Sequence, residues 1–209
     1  MRGLIVGFLA LVMLAGCSVE SVYAPEEFVR SKAYRHDGPP RITLFTMINN
    51  STGSGAHTSM MINASQRVIW DPAGSFAHKS IPERNDVVFG ITPKVADVYT
   101  RYHARETFHV RVQELDVSPE VAEGIMRAAM EYGAAPRAQC ALSTSSILAQ
   151  FFPGNVKQGW YPKKLADGFQ SVPGVTSRTL REYDSDDNSR VLENWDPSRL
   201  RAEKKAAAE

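Results

Sequence analysis

The sequence predicts an α+β domain built on an antiparallel sheet. Three observations point there. Strand-period segments crowd the first half of the chain, helix-start signals at Thr92-Pro93 and Ser118-Pro119 punctuate it, and a long apolar helical stripe follows. The 209 residues, 43% of them hydrophobic, suffice for one compact core and are thin for two full domains.

Residues 41–48 place Ile42, Leu44 and Ile48 on one side and Phe45 and Met47 on the other. Both sides are apolar, which predicts an interior strand. Residues 49–56, with Gly53 and Gly55, form a loop. A hairpin follows, with strands over 57–62 and 66–71 about an Asn63-Ala64-Ser65 turn, and Pro72 and Gly74 stop it. Residues 73–85 read as irregular and 87–91 as a short apolar strand. Thr92 as N-cap, with Pro93 in the first turn, starts a helix that runs to about His103. Residues 107–115 alternate Phe108, Val110 and Val112 against His109, Arg111 and Gln113, a half-buried strand. After Ser118-Pro119, Val121, Ile125, Ala128, Ala129 and Tyr132 form one helical stripe that Gly133 ends. A further helix spans 140–152 and stops at Pro153-Gly154. Past Trp160 the pattern weakens, and the folded domain is expected over 41–182. Residues 183–188 form an acidic turn that opens a charged tail over 183–209, alanine-rich from residue 198, and no internal repeat occurs.

Ahead of the domain, Met1-Arg2 precedes an apolar run over residues 3–15, too short and one-sided for a stable membrane span. It reads as an export signal. Leu14-Ala15-Gly16-Cys17 resembles a bacterial lipobox, the other reading being an ordinary cleaved signal with an incidental cysteine. The resemblance implies removal of residues 1–16 and lipid on the sulfur and amine of Cys17. Acyl chains at about 0.8 kcal/mol per buried methylene then anchor the chain to a membrane. Ser18 in place of Asp resembles outer-membrane sorting, on the periplasmic face. Residues 17–40, aperiodic and ending in Asp37-Gly38-Pro39-Pro40, are expected to be the lipidated N-terminus and tether.

Lys and Arg number 24 against 23 Asp and Glu, a net charge of +1 that excludes nucleic-acid binding as a default. Cys17 and Cys140 alone exclude a disulfide framework and a four-cysteine zinc module. With Cys17 acylated, Cys140 is the one free thiol of an exported chain facing an oxidising compartment.

Cys140 falls where a helix begins. Unpaired N–H groups and the helix dipole stabilise a thiolate there, although a free cysteine also packs as a small buried hydrophobe. A thiol catalyst needs a base, usually His, oriented by a third polar group. His36, His57, His78, His103 and His109 all precede Cys140, so any dyad runs His then Cys. His57 opens a strand after a glycine loop and is the best-placed base; a strand-opening His also serves as a surface or capping residue. If the hairpin closes on Asn63-Ala64-Ser65, His57 faces Asp71 and Ser59 faces Ile69. Asp71 could then hold one imidazole nitrogen and present the other to Cys140, whereas a one-residue slip would send it to the opposite face. Asp71-Pro72-Ala73-Gly74 is equally ordinary turn chemistry. His109 is the second-choice base, while His36, His78 and His103 read as loop or helix-end residues. Metalloprotease histidine spacing, a Gly-x-Ser-x-Gly elbow and a phosphate-binding glycine loop do not occur, so neither metal nor cofactor is expected.

Three segments together resemble the circularly permuted NlpC-type branch of the papain-like superfamily. They are Gly55-Ala56-His57-Thr58-Ser59-Met60-Met61-Ile62, the returning Val68-Ile69-Trp70-Asp71-Pro72, and Gln139-Cys140 opening a helix. Asn85-Asp86-Val87-Val88-Phe89-Gly90 also resembles a strand of some permuted members, and the resemblance covers roughly residues 41–155. It implies a permuted papain-like fold with Cys140 as nucleophile, His57 as base and Asp71 as orienting residue, a place several relatives give to His. It also implies that the backbone N–H of Cys140 contributes to an oxyanion site. The family includes peptidases and amidases of cell-wall peptides as well as lipid acyltransferases and hydrolases. The expected function is thus a lipid-anchored envelope thiol hydrolase or acyl transferase, its substrate a wall-peptide amide or a lipid ester. The rival is a non-catalytic envelope lipoprotein that binds or spaces a partner.

Overall fold

The computed structural model describes residues 21–195. The leader, Cys17 and the alanine-rich tail over 198–209 lie outside the described residues. Among the described residues, seven strands form one antiparallel sheet that six helices cover. The strands are β1 (Arg41–Asn49), β2 (Gly55–Asn63), β3 (Arg67–Trp70), β4 (Glu83–Arg84), β5 (Val87–Val88), β6 (Phe108–Asp116) and β7 (Thr176–Leu180). The helices are α1 (Glu26–Lys32), α2 (Pro93–His103), α3 (Pro119–Tyr132), α4 (Cys140–Phe151), α5 (Pro162–Gln170) and α6 (Ser189–Trp195). Spatial order is β4-β5-β3-β2-β1-β6-β7. The α+β expectation holds, and no helix among the described residues is long and apolar enough to cross a membrane.

β1 lies between β2 and β6, and its seven inner residues are buried, as two apolar faces require. Ile42 and Leu44 join a core under α3, α4 and α5, with Ile125, Ile147 and Phe169. Phe45 and Met47 join a second core under α2, with Val95, Val98 and Tyr99. Thr92 caps α2 by accepting from the Val95 N–H, Ser118 caps α3 by accepting from the Val121 N–H, and Gly133 ends α3 at φ 81°.

Four local readings change. The β2–β3 hairpin pairs Asn63 with Arg67 and Met60 with Trp70, so the turn is Ala64-Ser65-Gln66 and the register differs by two residues from the expected one. The stretch read as a plain tether holds α1, whose Val29 enters the first core, and Ala24 N–H donates to Glu83 O at 2.9 Å. The weak region past Trp160 holds α5 and β7. Their presence explains why Gln113 on the polar side of β6 is fully buried: its amide donates to Ala166 O and Gln170 Oε1, both at 3.0 Å. Within the expected tail, α6 rests Val191 and Leu192 on the second core.

The sequence pattern understates α5 most, so it offers a direct check. Phe169 is fully buried, and Phe169→Ala is expected to cost about 3–5 kcal/mol, read as a lowered urea midpoint. An unchanged midpoint would remove α5 from the core.

Candidate thiol–imidazole–carboxylate site

The site begins with a backbone irregularity. Met47 pairs with His57 and Ile48 with Gly55, so Ala56 is an extra residue on β2, a bulge immediately before His57. Bulges bend a strand and re-aim the adjoining side chain, here at the sheet's end where the loops meet. His57 Nε2 lies 2.7 Å from Asp71 Oδ1, and its side chain is 18% exposed. Asp71 stands one position beyond β3. Because the register differs by two residues rather than one, Asp71 keeps the face of His57 and meets it diagonally instead of directly opposite.

Asp71 is buried, and its Oδ1 takes a second donor besides His57. Tyr99 Oη donates to Oδ1 at 2.8 Å and lies 2.6 Å from Ser59 Oγ. A Cβ on Gly74 would sit 2.0 Å from Asp71 Oδ2, so only glycine closes the Asp71–Gly74 turn against the carboxylate. Asp86 braces the same turn. It occupies the two-residue Asn85-Asp86 link between β4 and β5, with φ of 46° and 66°, the left-handed pair a tight hairpin needs. Its carbonyl accepts the Asp71 N–H at 2.8 Å, and its Oδ2 accepts the N–H groups of Ala73 at 3.0 Å and Ala135 at 2.8 Å. One residue thereby ties the Asp71 turn to the segment that leads into Cys140.

Cys140 is the first residue of α4, buried at 8% exposure, and its thiol lies beside His57, close enough for each group to shift the other's pKa. With Nε2 engaged by Asp71, Nδ1 is the ring nitrogen left for the sulfur. Burial pushes the Cys140 pKa up. The His57 hydrogen bond and charge, with the N–H groups of Thr58 and Ala141, outweigh it and hold the thiol below its ordinary value. Burial likewise pushes His57 down, but its hydrogen bonds to Asp71 and Cys140 raise it to about 10. For Asp71, burial works against charge and is outweighed by His57, with His103 and Tyr99 contributing in the same direction. The shifts all run one way: toward a thiolate at Cys140, an imidazolium at His57 and a carboxylate at Asp71.

Cys140, His57 and Asp71, chosen from sequence, thus meet in space. His109 does not join them: its Nδ1 contacts Asn50 Oδ1 at 2.7 Å. His103, read as a helix-end residue, does. Its ring lies 6.0 Å from that of His57 and stacks at 20°, and its Nδ1–H donates to Tyr99 O at 2.9 Å. Burial, reinforced by the His57 charge, lowers His103 to about 4 and keeps it neutral. Sequence reasoning gave Tyr99 no role, Gly74 only that of ending the hairpin, and Asp86 only a place in the family-like segment 85–90. The one available signal was Tyr99 and His103 four apart on α2, sharing a helix face. A cavity of about 530 Å³ opens beside the imidazoles, walled by His57, His103, Met47, Tyr102 and Phe108; Cys140 is not among its lining residues. For a cation, the described residues offer His57, Asp71 and His103, one ligand atom of each lying within 4.8 Å of the others.

Two outcomes follow. Gly74→Ala is expected to displace the Asp71 carboxylate and slow alkylation of Cys140 at neutral pH on the order of 10-fold or more; an unchanged rate would disconnect the turn from the thiol. The pH dependence of alkylation is expected to rise below the ordinary thiol value of 9.0, because the folded pKa of Cys140 is depressed. His57→Ala removes the depressing partner and moves that rise upward. A wild-type curve centred at or above 9.0 would contradict the ion pair.

Comparison with known proteins adds no relative: no family model, no curated protein and no solved structure matches this chain.

Proposed function

We propose that the chain is a lipid-anchored envelope thiol hydrolase or acyl transferase with a circularly permuted papain-like arrangement. The reading rests on one observation, the meeting of Cys140, His57 and Asp71: His57 Nε2 lies 2.7 Å from Asp71 Oδ1 and the Cys140 thiol sits beside the same ring. In the proposed reaction the Cys140 thiolate attacks the carbonyl carbon of an amide or ester and forms a C–S bond. The Cys140 N–H, unpaired in the first turn of α4, helps hold the oxyanion. His57 gives its Nδ1 proton to the leaving amine or alcohol as the C–N or C–O bond breaks. It then takes a proton from water or another acceptor, whose oxygen or nitrogen displaces the sulfur and frees Cys140. Asp71 keeps the ring oriented and balances its charge throughout. No cofactor enters the scheme.

The lipobox-like Leu14-Ala15-Gly16-Cys17 supports anchoring through Cys17 at the periplasmic face of the outer membrane, beside wall peptides and phospholipids. One observation favours the second reading, a non-catalytic lipoprotein that binds or spaces a partner: Cys140 is 8% exposed and the adjoining cavity is not lined by it.

Incubation of the purified chain with muropeptides and with phospholipids, read by mass spectrometry, distinguishes the two. One substrate class is expected to be cleaved or acyl-transferred, with a thioester trapped on Cys140. His57→Ala is expected to slow turnover by about 10²–10⁴-fold. Unaltered substrates, together with an alkylation rate indifferent to His57→Ala, would leave the binding reading.

A further inference from the structure

His103 has no part in the proton transfers above, yet it is held with its outer nitrogen free of the backbone. Nδ1–H is committed to Tyr99 O at 2.9 Å, which leaves Nε2 as the acceptor. One ligand atom of His103, one of His57 and one Asp71 oxygen all lie within 4.8 Å of one another. We propose that His57, Asp71 and His103 form a binding site for a divalent transition-metal ion of the Zn²⁺ class, and that the bound ion shuts off the thiol. The second half rests on the thiol-enzyme reading; the first half does not.

The donor set is chemically apt. Two imidazoles and a carboxylate suit Zn²⁺ and its neighbours, with a fourth position left for water. Outer contacts of the kind that orient metal ligands are also in place. A backbone carbonyl fixes the tautomer of His103, and the Tyr99 hydroxyl, itself bonded to Ser59, steadies the Asp71 carboxylate. Reach is adequate. Bonds of about 2.0–2.1 Å place tetrahedral ligand atoms about 3.4 Å apart. The closest pair stands at 2.7 Å and the whole set within 4.8 Å, so small side-chain rotations suffice. Access would run through the cavity beside the two histidines, from which water would complete the coordination.

Binding exchanges one cation for another. The ion takes the place of the Nε2 proton that His57 shares with Asp71, and that proton leaves to solvent; no electron moves. A metal on Nε2 leaves the His57 proton on Nδ1, facing Cys140. Giving that proton to a leaving group would then create an imidazolate, so acid–base shuttling stops while the thiol stays in place. The site exists either as the hydrogen-bonded, reactive form or as the metal-bound, silent one.

The test titrates the metal-free chain with Zn²⁺ by calorimetry and with Co²⁺ by absorption. One ion per chain is expected, without a thiolate-to-cobalt charge-transfer band and with binding retained in Cys140→Ser. His103→Ala is expected to weaken binding about 10-fold or more. His103→Phe, which keeps a ring against Tyr99 and Tyr102, should do the same if the alanine variant folds poorly. Zn²⁺ should slow alkylation of wild-type Cys140 and leave that of His103→Phe unaffected. Absence of binding overturns the site, as does binding that survives both His103 variants. Binding that disappears in Cys140→Ser places the ion on the sulfur and also overturns it. If Zn²⁺ binds as described while muropeptides and phospholipids stay intact, the enzyme reading falls and the metal site stands. Turnover without metal binding gives the reverse.

Discussion

The buried contact between His57 and Asp71 is the constraint around which the rest is arranged. A carboxylate with 4% exposure carries a large desolvation cost unless a cation and further donors meet it, and removing one member of such a pair typically costs about 3–5 kcal/mol. Several features that look unrelated in the chain serve that one contact. The bulge at Ala56 turns His57, Gly74 leaves room for the carboxylate, Tyr99 supplies a second donor, and the left-handed Asp86 link closes the turn. Local backbone strain is concentrated here as well. Ala73 and Ala138, neither of them glycine, adopt φ of 53° and 62° on the turn after Asp71 and just before Cys140.

Electrostatically the site favours alternating charge in a poorly solvated place. Each member stabilises the next: the carboxylate favours the imidazolium, and the imidazolium favours the thiolate. The sulfur draws further help from the N–H groups of Thr58 and Ala141, so β2 and α4 both contribute dipoles as well as side chains. His103 stays neutral first because it is buried, and the charge of His57 adds to that. The two stacked imidazoles are thus held in different protonation states.

Much of this was readable from residue order, and the parts that were not have physical reasons. β1 declared itself through apolar residues on both faces, and α2 and α3 through Thr-Pro and Ser-Pro starts. The hairpin register was read two residues out, because Asn63-Ala64-Ser65 and Ala64-Ser65-Gln66 are both plausible turns, yet parity preserved the meeting of His57 and Asp71. α1 and α5 escaped because each is short: Val29 is the sole buried residue of α1, and α5 buries Leu165, Ala166 and Phe169 within nine residues. Burial of Gln113 could not be foreseen without α5 above it. The roles of Tyr99, Asp86 and His103 depend on tertiary proximity alone, and a histidine at a helix end carries no local sign of the ring it will stack against.

The double acceptance by the Asp86 carboxylate has one more consequence. Sulfur and imidazole arrive on segments far apart in the chain, and a single side chain staples the floor beneath one to the floor beneath the other. Opening of either loop therefore breaks a bond to the same oxygen that holds the other. Asp86 thus couples the two loops, and a change in the position of one is passed to the other through a single carboxylate.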